Sequence, residues 1–170
     1  MNPKDEGPVV EESPQGDRVD VTLRALELRI RQQEILSELG VLALQGTAFE
    51  KLLSETVRLT AEGLLAEFCK ILEHIPGENR LLVRAGVGWD AGIVGVASVG
   101  ADMESPAGFA LRTGKPLISN HLENEERFRT PEILQRHGIR RAMNVILQGD
   151  GRPFGVLEVD SRDADEFIEQ

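Results

Sequence analysis

The sequence predicts an α+β fold in which helices lie outside an antiparallel sheet. Two pairs of strand-like segments, residues 65–75 with 80–88 and 140–148 with 152–160, are each joined by a short turn of Pro, Gly, Asn, Asp or Glu. Amphipathic helical segments are set apart from these pairs, and the longest of them precede the first pair. Such segregation is typical of α+β domains rather than of domains that alternate strands and helices.

The N-terminal part of the chain predicts a tail followed by a helix. Residues 1–18 hold three Pro, two Gly and a cluster of acids, so we expect a disordered acidic tail. Residues 19–45 predict an amphipathic helix whose seam positions recur at spacings of four and three: Val21, Ala25, Leu28, Gln32, Ile35, Leu39 and Leu42. Two hypotheses stay open, a helix packed on its own domain and a helix that pairs with a second copy of the chain.

Residues 46–170 are predicted to form one further domain. Thr47 and Glu50 have the spacing of a capping box and predict a helix that ends near residue 64. Ser105-Pro106 and Thr130-Pro131 each predict the start of a shorter helix.

The segments around these shorter helices complete the domain. Gly114 and Gly138 are predicted to end the two helices, and residues 116–120 predict a short strand between them. A last helix begins near Asp163 and is truncated at the end of the sequence, so we expect a fragment of a longer protein.

Charge and composition limit the classes of partner. The chain has 19 Lys and Arg against 29 Asp and Glu, a net charge of −10 at pH 7. An acidic protein repels a phosphate backbone, so a nucleic-acid partner is not expected. No apolar run approaches the roughly 20 residues that cross a bilayer, and no signal-peptide core is present. We therefore expect a cytoplasmic chain with no membrane partner.

Three blocks of the sequence resemble a GAF domain. They are AEFCKILEHIPGENRLLVRAGVGW, SPAGFALRTGKPLISNHLENEERF and LQRHGIRRAMNVILQGDGRPFGVLEVDS, and they follow the order of the family. The likeness is to GAF sensor modules of bacterial signalling proteins, such as sensor histidine kinases and PAS-containing regulators. It implies a GAF-like fold, with a central antiparallel sheet of five to six strands, helices on one face and pocket-forming loops on the other.

The resemblance also implies a function. A sensory or regulatory GAF domain would bind a small molecule, whose identity stays unknown, and would act on an output domain or kinase through the helices of a homodimer. This chain itself is not expected to be an enzyme. Two alternatives remain open: a dimerisation scaffold without a ligand, and a small redox enzyme of GAF fold. A reductase of free methionine sulfoxide would need a second thiol, and the chain has only Cys69.

No cofactor is assigned. A covalent bilin is not expected, because a chromophore-bearing GAF domain would offer a Cys in its pocket loops or in an N-terminal extension. Haem is disfavoured, and the three His residues lack the spacing of a metal pair, so no metal site is expected.

Several side chains are candidates for the ligand pocket. Asn144 and Glu158 are polar residues inside apolar strand segments, so they either face solvent or line a cavity. His137 either complements a helix dipole or contacts the ligand. Arg127 either receives an anion or pairs with neighbouring Glu residues. The full candidate set is Trp89, Phe109, Arg127, Phe128, His137, Asn144 and Glu158.

Overall fold

The computed structural model describes residues 14–163, with side chains from residue 22 onward. The truncated helix predicted at the C-terminus therefore falls almost entirely outside the described residues, as do residues 1–13 of the predicted tail. The first helix begins inside that predicted tail. In chain order the helices are α1 (Pro14–Leu44), α2 (Phe49–Gly63), α3 (Pro106–Thr113) and α4 (Glu132–Arg136).

Six antiparallel strands form one sheet, which confirms the predicted α+β architecture. They are β1 (Phe68–Ile75), β2 (Arg80–Val87), β3 (Ser98–Gly100), β4 (Leu117–Ser119), β5 (Arg141–Gln148) and β6 (Pro153–Ser161). Their order across the sheet is β3-β2-β1-β6-β5-β4. The two predicted hairpins therefore meet through β1 and β6, the central strands. The sequence did not predict β3, which has only three residues.

The sheet separates two layers. On one face, Leu53 and Val57 of α2 pack against Cys69 and Ile71 of β1. On the other face, α3, α4 and the long connections cover the sheet with an apolar cluster that includes Phe68, Ala110 and Leu134. This second face carries the polar side chains described below.

The middle of the predicted seam of α1 faces α2 of the same chain. Ile35 is buried, and the Gln32 Nε2 donates a hydrogen bond to the Gly63 carbonyl oxygen at 3.0 Å. Gly63 permits this approach, because an added Cβ would lie 2.9 Å from the Ile35 Cδ1. Leu28, Leu39 and Leu42 are half-buried and Ala25 is exposed, while the side chain of Val21 lies outside the described residues.

A second apolar stripe lies on the opposite face of α1 and is exposed to solvent. We define the exposed stripe as Leu23, Leu26, Ile30, Val41 and Leu44, each of them about half exposed or more. A helix turns about 100° per residue, which places these five residues in a narrow arc away from α2. Apolar residues on both faces explain why one seam could not be chosen from spacing alone.

Helix starts were predicted with mixed success. The Ser105 hydroxyl accepts the Gly108 N–H at 2.9 Å, as predicted for an N-cap. The capping box at Thr47 was wrong: α2 begins after Ala48, and the Glu50 carboxylate pairs instead with Arg84 of β2. A tertiary ion pair has replaced the local hydrogen bond.

Two glycine substitutions test this packing. A Cβ at Gly155 of β6 would overlap the Leu72 carbonyl oxygen of β1, whereas a Cβ at Gly40 of α1 would meet nothing within 4 Å. We expect Gly155→Ala to lower the free energy of unfolding by about 1–3 kcal/mol, and Gly40→Ala to raise it by about 0.5–1 kcal/mol. Urea unfolding of both variants checks this, and equal effects would contradict the β1–β6 approach.

Candidate functional site

A buried polar cluster lies on the loop-covered face of the central strands. We define the polar cluster as Lys70 of β1, Asn144 of β5, and Glu158 and Asp160 of β6. Lys70 and Asn144 both pair with Glu158 in the strand register, on opposite sides of β6. Directly paired residues point to the same face of a sheet, so these side chains share one face. All four are almost completely buried.

Lys70 holds the cluster together. Its Nζ donates to the Asp160 Oδ2 at 2.6 Å and also to the Glu158 Oε1. The same ammonium lies 4.2 Å from the ring centroid of Trp89, a cation–π contact. A buried ammonium requires such partners, because removing a charge from water without compensation is costly.

The cluster shifts the pKa values of two of its members. Burial, followed by the charge of Glu158, raises the pKa of the Asp160 carboxyl well above its ordinary value. Burial opposes the charged form of Lys70, but the two neighbouring carboxyl groups outweigh it and raise its pKa. The environment therefore favours the protonated form of Asp160 and the charged form of Lys70.

Asn144 is buried without a hydrogen-bond partner. Neither its Nδ2 nor its Oδ1 has one among the described residues, and the Asp160 Oδ1 also lacks one. Buried polar atoms are nearly always paired, so three orphaned atoms on one face point to a ligand or water that completes the site. Asn144 and Glu158, both predicted as candidates, thus line the buried side of the sheet.

Trp89 covers the polar cluster. Its Nε1 donates to the Cys69 carbonyl oxygen at 3.0 Å, which fixes the ring above Lys70. Gly86 of β2 makes room for the ring, since an added Cβ would lie 2.9 Å from the Trp89 Cδ1. The Trp89 ring also lies 4.9 Å from the rings of Phe68 and His137, measured between centroids. Trp89, a candidate pocket residue from the sequence, lies against Lys70 of the polar cluster.

His137 connects this cover to the surface. Its Nδ1 donates to the Ile133 carbonyl oxygen at 2.8 Å, and its Nε2 accepts the Asp90 N–H at 3.4 Å. The ring lines a surface depression of about 380 Å³ between β3 and α4. His137 thus belongs both to the lining of the depression and to the aromatic contacts of Trp89.

The other predicted pocket residues lie apart from the cluster. Phe109 and Phe128 contact each other, with centroids 5.9 Å apart, in the apolar layer over the sheet. Arg127 is 44% exposed and binds both carboxylate oxygens of Glu125, at 2.8 and 2.6 Å. Hydrogen bonds from Arg127 lower the pKa of Glu125 to about 2. Arg127 is therefore occupied by a surface partner.

Sequence reasoning missed Lys70 and Asp160 as site residues. Both interrupt apolar segments, in FCKIL and VLEVDS, which is the same signal that identified Glu158. Lys70 and Asp160 come together only because β1 pairs with β6, and the local sequence does not specify this pairing.

Cys69 lies on the other face of the sheet. It packs with Leu53 and Val57 of α2, away from the polar cluster. Burial, followed by the charge of Asp160, raises the pKa of its thiol to about 12. A thiol is nucleophilic as the thiolate, so this environment suppresses its reactivity.

Comparison with known proteins identifies the family of this fold. A family model described as GAF domain matches residues 48–170. The chain belongs to the GAF domain family. GAF domains are generally sensory or regulatory parts of signalling proteins. A search of curated proteins gives no match.

Solved structures show the same fold at low sequence identity. The GAF domain of a phosphoenolpyruvate-protein phosphotransferase from Coxiella burnetii is 16% identical, with a TM-score of 0.69 over 85% of this chain and 83% of that one. Free methionine-R-sulfoxide reductase from Neisseria meningitidis, in complex with its substrate, is 18% identical, with a TM-score of 0.67 over 81% and 77%. The nlh2 GAF domain of A. aeolicus is 16% identical, with a TM-score of 0.65 over 84% and 83%.

Neither a membrane-spanning helix nor a metal-binding cluster is found among the described residues of this GAF domain. None of its helices there is both long and apolar enough to span a bilayer. Between residues 14 and 163, no group of three His, Cys, Asp or Glu side chains is placed to hold a metal ion.

Substitutions in the polar cluster test its charge balance. Lys70→Met leaves two buried carboxyl groups without their cation, so we expect it to lower the free energy of unfolding by about 3–5 kcal/mol. Urea unfolding at pH 7 measures this loss, and an unchanged midpoint would show that Lys70 is not essential to the cluster.

Asp160→Asn tests the proton. The pKa of Asp160 is higher in the folded state than in the unfolded state. Between these two pKa values the folded chain binds more protons than the unfolded chain. The contribution of Asp160 to stability therefore falls as the pH rises from the unfolded pKa toward the folded pKa. Asn mimics the protonated carboxyl group. Between about pH 5 and about pH 9, the variant should therefore lose less stability than the unaltered protein. A parallel loss in both proteins would contradict the raised pKa.

Proposed function

We propose that this GAF domain is the sensory or regulatory domain of a cytoplasmic bacterial signalling protein. It binds a small molecule on the loop-covered face of the sheet and transmits binding to an output domain through α1. The observation that carries the proposal is the set of orphaned polar atoms on Asn144 and Asp160, buried in the cluster whose Lys70 lies against the Trp89 ring. Such atoms cost stability in the free protein, and a ligand that pairs with them recovers that cost.

The fold offers a mechanical route from this site to the helices. β1 carries Lys70 on the site face and carries Cys69 and Ile71 against α2 on the other face. α2 in turn contacts α1 through Gly63 and Ile35. A ligand that binds one position of the covering loop more tightly than another therefore shifts the equilibrium between two positions of α1.

A second copy of the chain is the proposed partner of α1. Every described side chain from Thr22 to Glu27 is exposed, so this part of the helix is not packed on its own domain. An isolated helical segment of this length is marginal in water, and apolar residues at helical spacing are the usual seam of a helix pair. The exposed stripe, which begins at Leu23, supplies that seam, while Gln32 and Ile35 of the predicted seam already contact α2.

Arginine substitutions on α1 test the dimer. We expect Leu26→Arg with Ile30→Arg to give folded monomers, because two buried cations would face each other across the seam. Leu36→Arg with Leu65→Arg is the matched control, since both residues are exposed and lie off the stripe. Sedimentation equilibrium of both variants measures the assembly. A persistent dimer in the first variant would place the contact elsewhere.

Native mass spectrometry tests the sensor. Freshly purified protein should show a dimer with an additional mass that is lost after denaturation, because the ligand is held only by non-covalent contacts. A dimer of bare chains that stays bare in a metabolite extract would favour a dimerisation scaffold over a sensor.

A further inference from the structure

The orphaned atoms also indicate what kind of molecule the site takes. We infer that the ligand is a small neutral molecule that presents an amide edge, an N–H beside a C=O as in a lactam, carboxamide or urea, and that Asn144 binds this edge. This inference rests on the function proposed above and specifies the chemical class of the ligand.

Asn144 presents one donor and one acceptor side by side. Both atoms are orphaned, and the side chain is fully buried between its register partners Leu117 of β4 and Glu158 of β6. A carboxamide pairs through two parallel hydrogen bonds with any group that offers an acceptor next to a donor. An amide edge is the simplest such group, whereas a carboxylate offers only acceptors and an ammonium only donors. Each of these ions would leave one atom of Asn144 without a partner.

The charge balance of the polar cluster disfavours an ionic ligand. Lys70 is already bound to Glu158 and Asp160, and its remaining open side faces the Trp89 ring. A free ion that entered this space would lose its hydration without a countercharge left to compensate. A neutral ligand avoids that cost, and an N–H or C=O of the ligand can also reach the orphaned Asp160 Oδ1.

A surface depression adjoins the aromatic contacts of Trp89 through His137. It lies between β3 and α4, and its volume of about 380 Å³ is at the lower end of the range for small-molecule pockets. His137 lines it, and the His137 ring lies 4.9 Å from the Trp89 ring, measured between centroids. Trp89 is the only Trp of the chain and contacts Lys70, so its fluorescence reports a change at the polar cluster.

Fragment binding to the full chain tests the inference. The probes are pyrrolidinone, which has an amide edge, N-methylpyrrolidinone, which lacks the N–H, and butylammonium and butyrate as ions. The readouts are the side-chain amide signal of Asn144 in ¹H–¹⁵N spectra and the fluorescence of Trp89. We expect pyrrolidinone to shift both signals, and N-methylpyrrolidinone to bind at least about tenfold more weakly, since one buried donor–acceptor pair is lost.

A leucine substitution separates ligand binding from folding. Asn144→Leu removes the orphaned atoms and keeps the branching and heavy-atom count of the side chain, so we expect unchanged or higher stability together with loss of the pyrrolidinone response. Asn124→Leu is the matched control on the surface and should keep the response. A destabilised Asn144→Leu variant that still binds pyrrolidinone would overturn the inference, because Asn144 would then be paired with water.

The remaining outcomes distinguish this inference from the proposed function. Tighter binding of butylammonium or butyrate than of pyrrolidinone overturns the amide edge but leaves a sensor. An endogenous molecule that stays bound to the Asn144→Leu variant in native mass spectrometry likewise overturns the amide edge and leaves a sensor. If no probe and no endogenous molecule binds, both the inference and the sensor function are overturned.

Discussion

The ammonium of Lys70, held between Glu158 and Asp160, is the interaction on which the arrangement of this domain depends. It joins β1 to β6, the strands through which the two hairpins form one sheet. A slip of one residue between these strands would turn Lys70 toward the apolar side chains of α2 and separate it from both carboxyl groups. The buried charge therefore specifies the register of the central strands in addition to apolar packing. Its contribution to net stability is a separate matter, because desolvation offsets much of the attraction.

The same charge determines what can cover the sheet. Trp89 provides the face of an aromatic ring to the ammonium and donates its N–H to the backbone beside it. Gly86 is needed beneath the ring, and His137 packs against its edge. The cover is thus built from a few aromatic contacts rather than from a continuous secondary-structure element.

Helix α1 is apolar on two opposite faces. One face binds α2 through Ile35 and Gln32, and the opposite face presents the exposed stripe. A helix that is apolar on two faces is suited to two contacts at once. In the function proposed above, the exposed stripe is the face that contacts the second copy.

The sequence by itself determined the α+β class, the two hairpins, the helix start at Ser105 and the candidates Asn144 and Glu158. These follow from periodicity and turn chemistry, which act over a few residues. The tertiary structure decided which hairpin strands meet, and so brought Lys70 to Asp160 across 90 positions of sequence. It also decided which face of α1 is covered, and it replaced the capping box at Thr47 with the ion pair between Glu50 and Arg84. Contacts between distant segments depend on the order of the strands in the sheet and on burial, and local sequence patterns specify neither.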